Sequence, residues 1–281
     1  MSTEQKSVDI ERWYDFSGKV AVITGGAGVL GRAMAHGLAE RGARIVILSR
    51  RPERVQAAVA SLEAKGAEAI GIPTDVLRPD ALAEAAERTH KAFGRVDILI
   101  NAAGGNRPEA TATPDQPLFD LPPEAIEGVL GANLTGTIYA SQAFGRQMAA
   151  QGEGSILNIS SMAAIRPLTR VGIYGAAKAA IDNWTQWLAV HMAVNYSPKI
   201  RVNAIAPGFL LGEQNRYLLI DAKSGELTPR GREIIAHTPM RRFGEPADLI
   251  GTVLWLLSPA AAFVTGVVIP IDGGYAAFGG V

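Results

Sequence analysis

The sequence predicts an α/β fold: a doubly wound, seven-stranded parallel sheet with helices on both faces, in a single domain. Three observations predict it. Seven short apolar runs rich in β-branched residues recur along the chain, without the polar alternation of half-exposed strands. Ala- and Leu-rich stretches of helical character separate them, which calls for parallel strands joined by right-handed crossovers. The first run passes directly into Thr24-Gly25-Gly26-Ala27-Gly28-Val29-Leu30-Gly31 and then a helix.

The elements follow in order. Residues 1–14 are polar and aperiodic and are expected to form an N-terminal arm, with 15–281 as the domain proper. The arm has no basic head followed by an apolar core, so it does not resemble a signal peptide. Residues 20–23 are a strand buried on both faces. A helix is expected over about 30–40, closed by Gly42 just past its end. Residues 45–48 are the second strand, and Pro52 opens a helix to about 65. A weaker strand covers 69–73, and a helix about 79–93. Residues 96–100 are a strand, followed by one long helix over about 123–151 with a small residue at Gly131. A strand at 155–159, a long helix at 174–194 and a strand at 200–205 come next. A helix over 246–257 and a strand over 267–271 complete the set. Residues 209–240 are polar with few periodic signals, and are expected to be a substrate-lid insertion over one edge of the sheet.

Composition narrows the function. The 281 residues are 48% hydrophobic and 19% charged, which suits one compact domain. Lys+Arg 27 balance Asp+Glu 27, so neither nucleic-acid binding nor electrostatic membrane docking is expected. No apolar run reaches the roughly 18 residues of a membrane span; 249–268 comes closest, interrupted by Ser258, Pro259 and Thr265. The chain has no cysteine, which removes disulfides, thiolate metal sites and thiol nucleophiles. His36, His90, His191 and His237 are widely separated, and no metal is expected. A cytoplasmic protein acting on a small molecule is the expectation.

Gly26, Gly28 and Gly31 satisfy G-x-G-x-x-G between a strand and a helix. Glycines there let the backbone approach a pyrophosphate, and the helix N-terminus supplies free N–H groups. The alternative is a tight turn with no ligand. The second strand ends Leu48-Ser49-Arg50-Arg51, with no acid at its tip to bond a ribose 2′-hydroxyl; the nearest is Glu53. An Arg fork suits a phosphate, which favours NADP over NAD. If Arg50 and Arg51 are only solvated charges, NAD stays open.

Tyr174 and Lys178 stand one helical turn apart on one face. A nearby ammonium favours tyrosinate, so such a Tyr can pass a proton to or from a substrate oxygen. Ser161, thirteen residues upstream, follows a strand and could meet both at the carboxyl end of the sheet.

With these pieces in place, the chain resembles the short-chain dehydrogenase/reductase family over nearly its whole length. The matching motifs run in order: Thr24 to Gly31, Asp75-Val76, Asn101-Ala102-Ala103-Gly104, Asn133, Ser161, Tyr174 with Lys178, Pro207-Gly208, and Asp272-Gly273-Gly274. The resemblance implies a Rossmann-like fold and assigns roles. Tyr174 is the general acid/base and Ser161 polarises the substrate carbonyl. Lys178 bonds the nicotinamide ribose and lowers the Tyr174 pKa, and Asn133 holds a water that relays protons to Lys178. Gly25, Gly28, Val29, Leu30, Ser49 and Arg50 are implied on the cofactor's phosphate and ribose side. Asp75 and Val76 touch the adenine, Asn101, Ala102 and Ala103 line the cofactor, and Pro207 and Gly208 flank the nicotinamide. Asn133 could instead serve a helix kink, and Asp75 a turn. Two departures stand out. The family's middle glycine position is Val29 here, with Gly28 one place earlier, so a shifted pyrophosphate turn is expected. No Thr follows Pro207-Gly208; the chain reads Phe209-Leu210-Leu211-Gly212-Glu213.

A narrower resemblance is to the D-mannonate oxidoreductase (fructuronate reductase) branch. It rests on the strings from Asn101 to Asn106, Arg166-Pro167-Leu168-Thr169, Glu213-Gln214-Asn215-Arg216, Leu227-Thr228-Pro229-Arg230-Gly231 and His237-Thr238-Pro239-Met240. It implies a sugar acid, most directly D-fructuronate and D-mannonate. A sugar acid needs a cation for its carboxylate and amides for its hydroxyls. Asn106, Arg166, Gln214, Asn215 and Arg216 are the candidates, with Arg216 or Arg166 on the carboxylate. A gluconate-type or other polyol dehydrogenase, and a non-catalytic dinucleotide-binding regulator, are the competing readings. The helices over 123–151 and 174–194, with Trp184 and Trp187, and the apolar stretch 247–271 at a sheet edge call for covering. The resemblance implies that a homotetramer covers them.

Overall fold

The computed structural model describes residues 9–212, 216–222 and 224–280. Seven strands form one all-parallel sheet: β1 (Val20–Thr24), β2 (Arg44–Ser49), β3 (Ala69–Pro73), β4 (Ile98–Asn101), β5 (Gly154–Ile159), β6 (Ile200–Pro207) and β7 (Val268–Ile271). Their order is β3-β2-β1-β4-β5-β6-β7. The direction of winding reverses between β1 and β4, so a crevice opens at their carboxyl ends, where open sheets of this kind bind ligands. Thr24 pairs with Leu48 on one side and Asn101 on the other, bringing three loops to one rim.

The helices are α1 (Ile10–Trp13), α2 (Val29–Ala39), α3 (Pro52–Glu63), α4 (Pro79–Phe93), α5 (Pro123–Leu130), α6 (Gly136–Gln151), α7 (Met162–Ile165), α8 (Gly172–Asn195), α9 (Arg216–Leu219), α10 (Pro229–Ala236) and α11 (Ile250–Leu257). Side chains alternate across each strand, and the core divides accordingly. Ala21, Ile23, Ile45 and Ile47 pack with Met34 and Leu38 of α2, Leu62 of α3 and Leu256 of α11. Val20, Val22, Val46 and Leu48 face the other way, onto Leu82 of α4, Phe144 and Met148 of α6, and Leu188 of α8. Both faces of the sheet are therefore dry across β2, β1, β4, β5 and β6, which is why these strands read as unbroken apolar runs, whereas the edge strands β3 and β7 are partly exposed.

Three regions differ from the sequence expectation. The N-terminal stretch is not wholly irregular: Asp9 accepts Arg12 N–H and caps α1. The expected helix over 123–151 runs unbroken, but α5 and α6 are joined within it by a π-helical turn at Gly131–Thr135. The lid stretch carries secondary structure of its own, α9 and α10. Thr228 Oγ1 caps α10 by accepting Gly231 N–H, and Pro229 sits in its first turn, where its missing N–H costs nothing. Leu219 and Ile234 are buried and anchor the segment.

Candidate active site

The crevice holds two adjoining cavities. The first, of about 310 Å³, runs from the glycine turn across the ends of β2 and β3. The second, of about 410 Å³, lies over the ends of β5 and β6, beneath the segment that follows Gly208.

The glycine turn is built by close approach. Gly25 adopts φ +65°, and a Cβ there would lie 2.6 Å from the Ala102 carbonyl oxygen, so only glycine fits. Gly28 needs no such freedom: its φ is −81°, and it is the N-cap of α2, with Val29 as the first helical residue. The displaced glycine is thus absorbed as a cap without a change of turn. The first N–H groups of α2 have no intrahelical partner and face the crevice as a cradle for phosphate. Thr24 Oγ1 accepts Ala103 N–H and fixes the β4 loop beside it.

The first cavity is lined by Gly25, Gly28, Ser49, Arg50, Asp75, Val76, Ala102 and Ala103. Arg54, one turn beyond Arg50 at the start of α3, also lines it and was missed. Neither arginine has an ion-pair partner among the described residues. Asp75 does close a turn, accepting Leu77 N–H at 3.0 Å, and still faces the cavity. Asn101 is placed otherwise than expected. It is 2% exposed, and its amide donates to Ser141 Oγ and Asn158 Oδ1 within the interior, beneath the cofactor cavity.

The second cavity brings together Val29, Leu30, Asn106, Ser161, Tyr174, Pro207 and Gly208. Ser161 caps α7, its Oγ accepting Ala163 N–H at 3.1 Å. That leaves the hydroxyl proton free to be donated. Tyr174 stands within hydrogen-bonding reach of Ser161; burial pushes its phenol above the usual value, and Ser161 draws it back. Lys178, almost fully buried, donates from Nζ to the Ile159 carbonyl at 2.6 Å. Burial brings its ammonium down to about 8. Its Nζ lies 5.6 Å from the centre of the Tyr174 ring, yet the phenol of the ligand-free chain is raised by burial and not lowered by this ammonium, contrary to the expectation from the sequence.

Asn133 lies in the π-turn and is fully committed. Its Nδ2 donates to the carbonyls of Gly105 and Val129, and its Oδ1 accepts Gly105 N–H. Its own carbonyl accepts Thr137 Oγ1. Gly104 has φ +143°, and a Cβ there would lie 2.4 Å from Asn133 Oδ1.

The substrate candidates divide. Asn106 walls both cavities and donates to Thr111 Oγ1. Gln214 and Asn215 lie outside the described residues. Arg166 turns away: its Nε and Nη2 both donate to the Ala276 carbonyl, tying down the C-terminal tail. Arg216 is exposed at the start of α9 and lines neither cavity. The cation on the catalytic cavity is instead Arg230, in the first turn of α10. It is half-buried, and burial together with the neighbouring Arg170 charge pulls its pKa down. No hydrogen bond or ion pair to another described residue satisfies it. The Thr228-Pro229 pair signalled a helix start and hence a cation of unfavourable sign in its first turn.

Comparison with known proteins agrees with this geometry. A family model described as enoyl-(acyl carrier protein) reductase matches residues 25–276. An oxidoreductase of Bacillus subtilis strain 168, UxuB, described as uncharacterized, is 46% identical over 276 residues, covering 95% of this chain and 98% of that one. A crystal structure from Haemophilus influenzae, provisionally described as a D-mannonate oxidoreductase with bound NAD, superposes with a TM-score of 0.90 at 39% identity. It covers 97% of this chain and 100% of that one. A Beutenbergia cavernae structure, provisionally an NAD(P)-dependent gluconate 5-dehydrogenase with NADP at low occupancy, gives a TM-score of 0.83 at 32% identity, over 94% and 99% of the two chains.

Proposed function

The chain belongs to the short-chain dehydrogenase/reductase family and is a nicotinamide-dependent oxidoreductase, and on that premise we propose that its substrate is a sugar acid, with D-fructuronate and D-mannonate as the first candidates. The observation that carries this reading is Arg230. A guanidinium at a helix N-terminus meets the positive end of the dipole. Arg170 adds repulsion, and partial burial removes water. The Glu233 carboxylate offsets only part of this; an anion filling the cavity relieves all three penalties. The similarity to the provisional D-mannonate oxidoreductase supports the same reading.

A nicotinamide cofactor held by these residues would supply the hydride for reducing a carbonyl, or take one from an alcohol. The protein's residues do the rest. Ser161 donates its free hydroxyl proton as a hydrogen bond to the substrate oxygen. Tyr174 transfers its phenolic proton to that oxygen in reduction and accepts it in oxidation. Lys178 stabilises the tyrosinate. Asn133 holds Gly104 and Gly105 where the two cavities meet. The test is a panel of hexuronates and aldonates with both nicotinamide cofactors. Turnover concentrated on keto sugar acids and their aldonates is expected; equal turnover of uncharged ketoses would overturn the substrate reading. A gluconate-type specificity would show in the same panel as preference for 5-keto-D-gluconate.

For the cofactor we favour NADP. Arg50 and Arg54 offer two forks at the ribose end of the first cavity, and no acid stands at the tip of β2. Arg50→Ala is expected to weaken NADPH at least about tenfold and NADH little, since a charged hydrogen bond contributes about 1.5–3 kcal/mol. Equal losses in titrations of both cofactors would favour NAD.

Assembly into a homotetramer fits two surfaces. Along α8, Trp184, Trp187 and His191 stack in sequence, with Trp187 52% and Val194 76% exposed. At one edge of the sheet, β7 pairs with β6 alone among the described residues. A monomer in light scattering at micromolar concentration would rule the tetramer out.

A further inference from the structure

Three successive residues at the carboxyl end of β5 are each met by a residue of α8. Lys178 Nζ donates to the Ile159 carbonyl. Ser160 Oγ donates a hydrogen bond to Asp182 Oδ1. Ser161 lies within reach of Tyr174. Residues 174, 178 and 182 succeed one another by four and share one helix face. Two of these contacts belong to groups with roles already proposed; the Asp182 contact does not.

Ser160 is 2% exposed. A buried hydroxyl could be satisfied by any carbonyl oxygen. A half-buried carboxylate pays for desolvation, so its presence needs a reason specific to charge. Lys178 provides one: it is a buried cation, and Asp182 stands one turn beyond it on the same face of α8, outside ion-pair contact. We infer that Asp182 is a positioning residue for the reaction, the counter-charge that keeps Lys178 an ammonium, held in place by Ser160.

The inference rests on the roles proposed for Tyr174 and Lys178. Burial drags the Lys178 ammonium down, and the Asp182 carboxylate opposes it. Burial raises the Asp182 carboxyl itself, while the Ser160 hydroxyl and Lys178 draw it back. The other charged groups around this face do not compete. Arg201 of β6 turns to the carbonyls of Leu256 and Ser258. Glu124 and Glu127 of α5 are exposed. Residues 162–165 of α7 are uncharged, and Asn133 of the π-turn is neutral. Arg230 faces the substrate side of the cavity.

Asp182→Asn keeps the shape and the acceptor for Ser160 but removes the charge. The readout is the ε-carbon NMR titration of Lys178 in the full chain carrying 13C-lysine, assigned with Lys178→Met. The midpoint is expected to fall by about one pH unit on Asp182→Asn, and to return with Asp182→Glu. In activity, the alkaline limb of kcat/KM for D-fructuronate reduction should move to lower pH, because the ammonium is lost earlier. An unmoved lysine midpoint in folded Asp182→Asn overturns the inference; if that variant does not fold, Asp182→Ser carries the same test. Activity in Tyr174→Phe would instead overturn the parent reading. The NMR midpoint needs no substrate, so the two failures are separable.

Discussion

Tyr174→Phe is expected to lose at least about a hundredfold of turnover, the scale of general acid–base catalysis, with cofactor affinity close to that of the parent chain. The reason lies in the site's division of labour. The phenol lines the second cavity beside Ser161, whereas the phosphate and adenosine ends bind in the first. The ring packs against the apolar cluster of Ala110, Ala125 and Val129, so phenylalanine fills the same volume. Thermal melts should therefore differ little, which separates lost chemistry from lost fold. Single-turnover kinetics with cofactor titrated by fluorescence would check both halves at once. Near-normal turnover would remove Tyr174 from the reaction.

Arg230→Ala is expected to lower kcat/KM for D-fructuronate by roughly tenfold to a few hundredfold, about 1.4 to 3.5 kcal/mol of transition-state stabilisation. The effect on an uncharged ketose should be small. Because the parent protein holds this cation at a disadvantage, the substitution should also leave stability unchanged or slightly raised, a combination rare for a half-buried residue. Equal losses on charged and uncharged substrates would make Arg230 structural. Arg166→Ala provides the contrast: its guanidinium ties the Ala276 carbonyl, so its loss should loosen the tail without discriminating between substrates.

These two arginines also mark where sequence reading stops. The sheet was legible because strands buried on both faces must be apolar throughout, and all seven runs are strands in the order the crossovers require. The glycine turn, Ser161, Tyr174, Pro207 and Gly208 reach the crevice expected of them because their spacing relative to strand ends determines the rim, and Lys178 meets the end of β5. Direction within a loop was not. Arg166 lies five residues after Ser161, yet its extended backbone at the end of α7 sends the side chain to the C-terminal tail. Arg230 sits in a helix of eight residues, shorter than any window in which periodicity can be measured. Asn101 ends β4 among residues that line the cofactor cavity, but strand alternation points it inward, to Ser141 and Asn158. The π-turn left only Gly131 as a trace, since π geometry has no residue signature.

Gly105 and Asn106 form a wall common to both cavities. The Gly105 peptide is gripped at its N–H and its carbonyl by the single amide of Asn133. A partition held so tightly at one point cannot yield to a ligand on one side without shifting on the other. Occupancy of the two halves is therefore expected to be linked. Whatever factor a bound dinucleotide applies to substrate affinity, the substrate must return to the dinucleotide. Measured dissociation constants should close into a cycle, whichever ligand enters first, and Asn133→Ala is expected to shrink the linking factor.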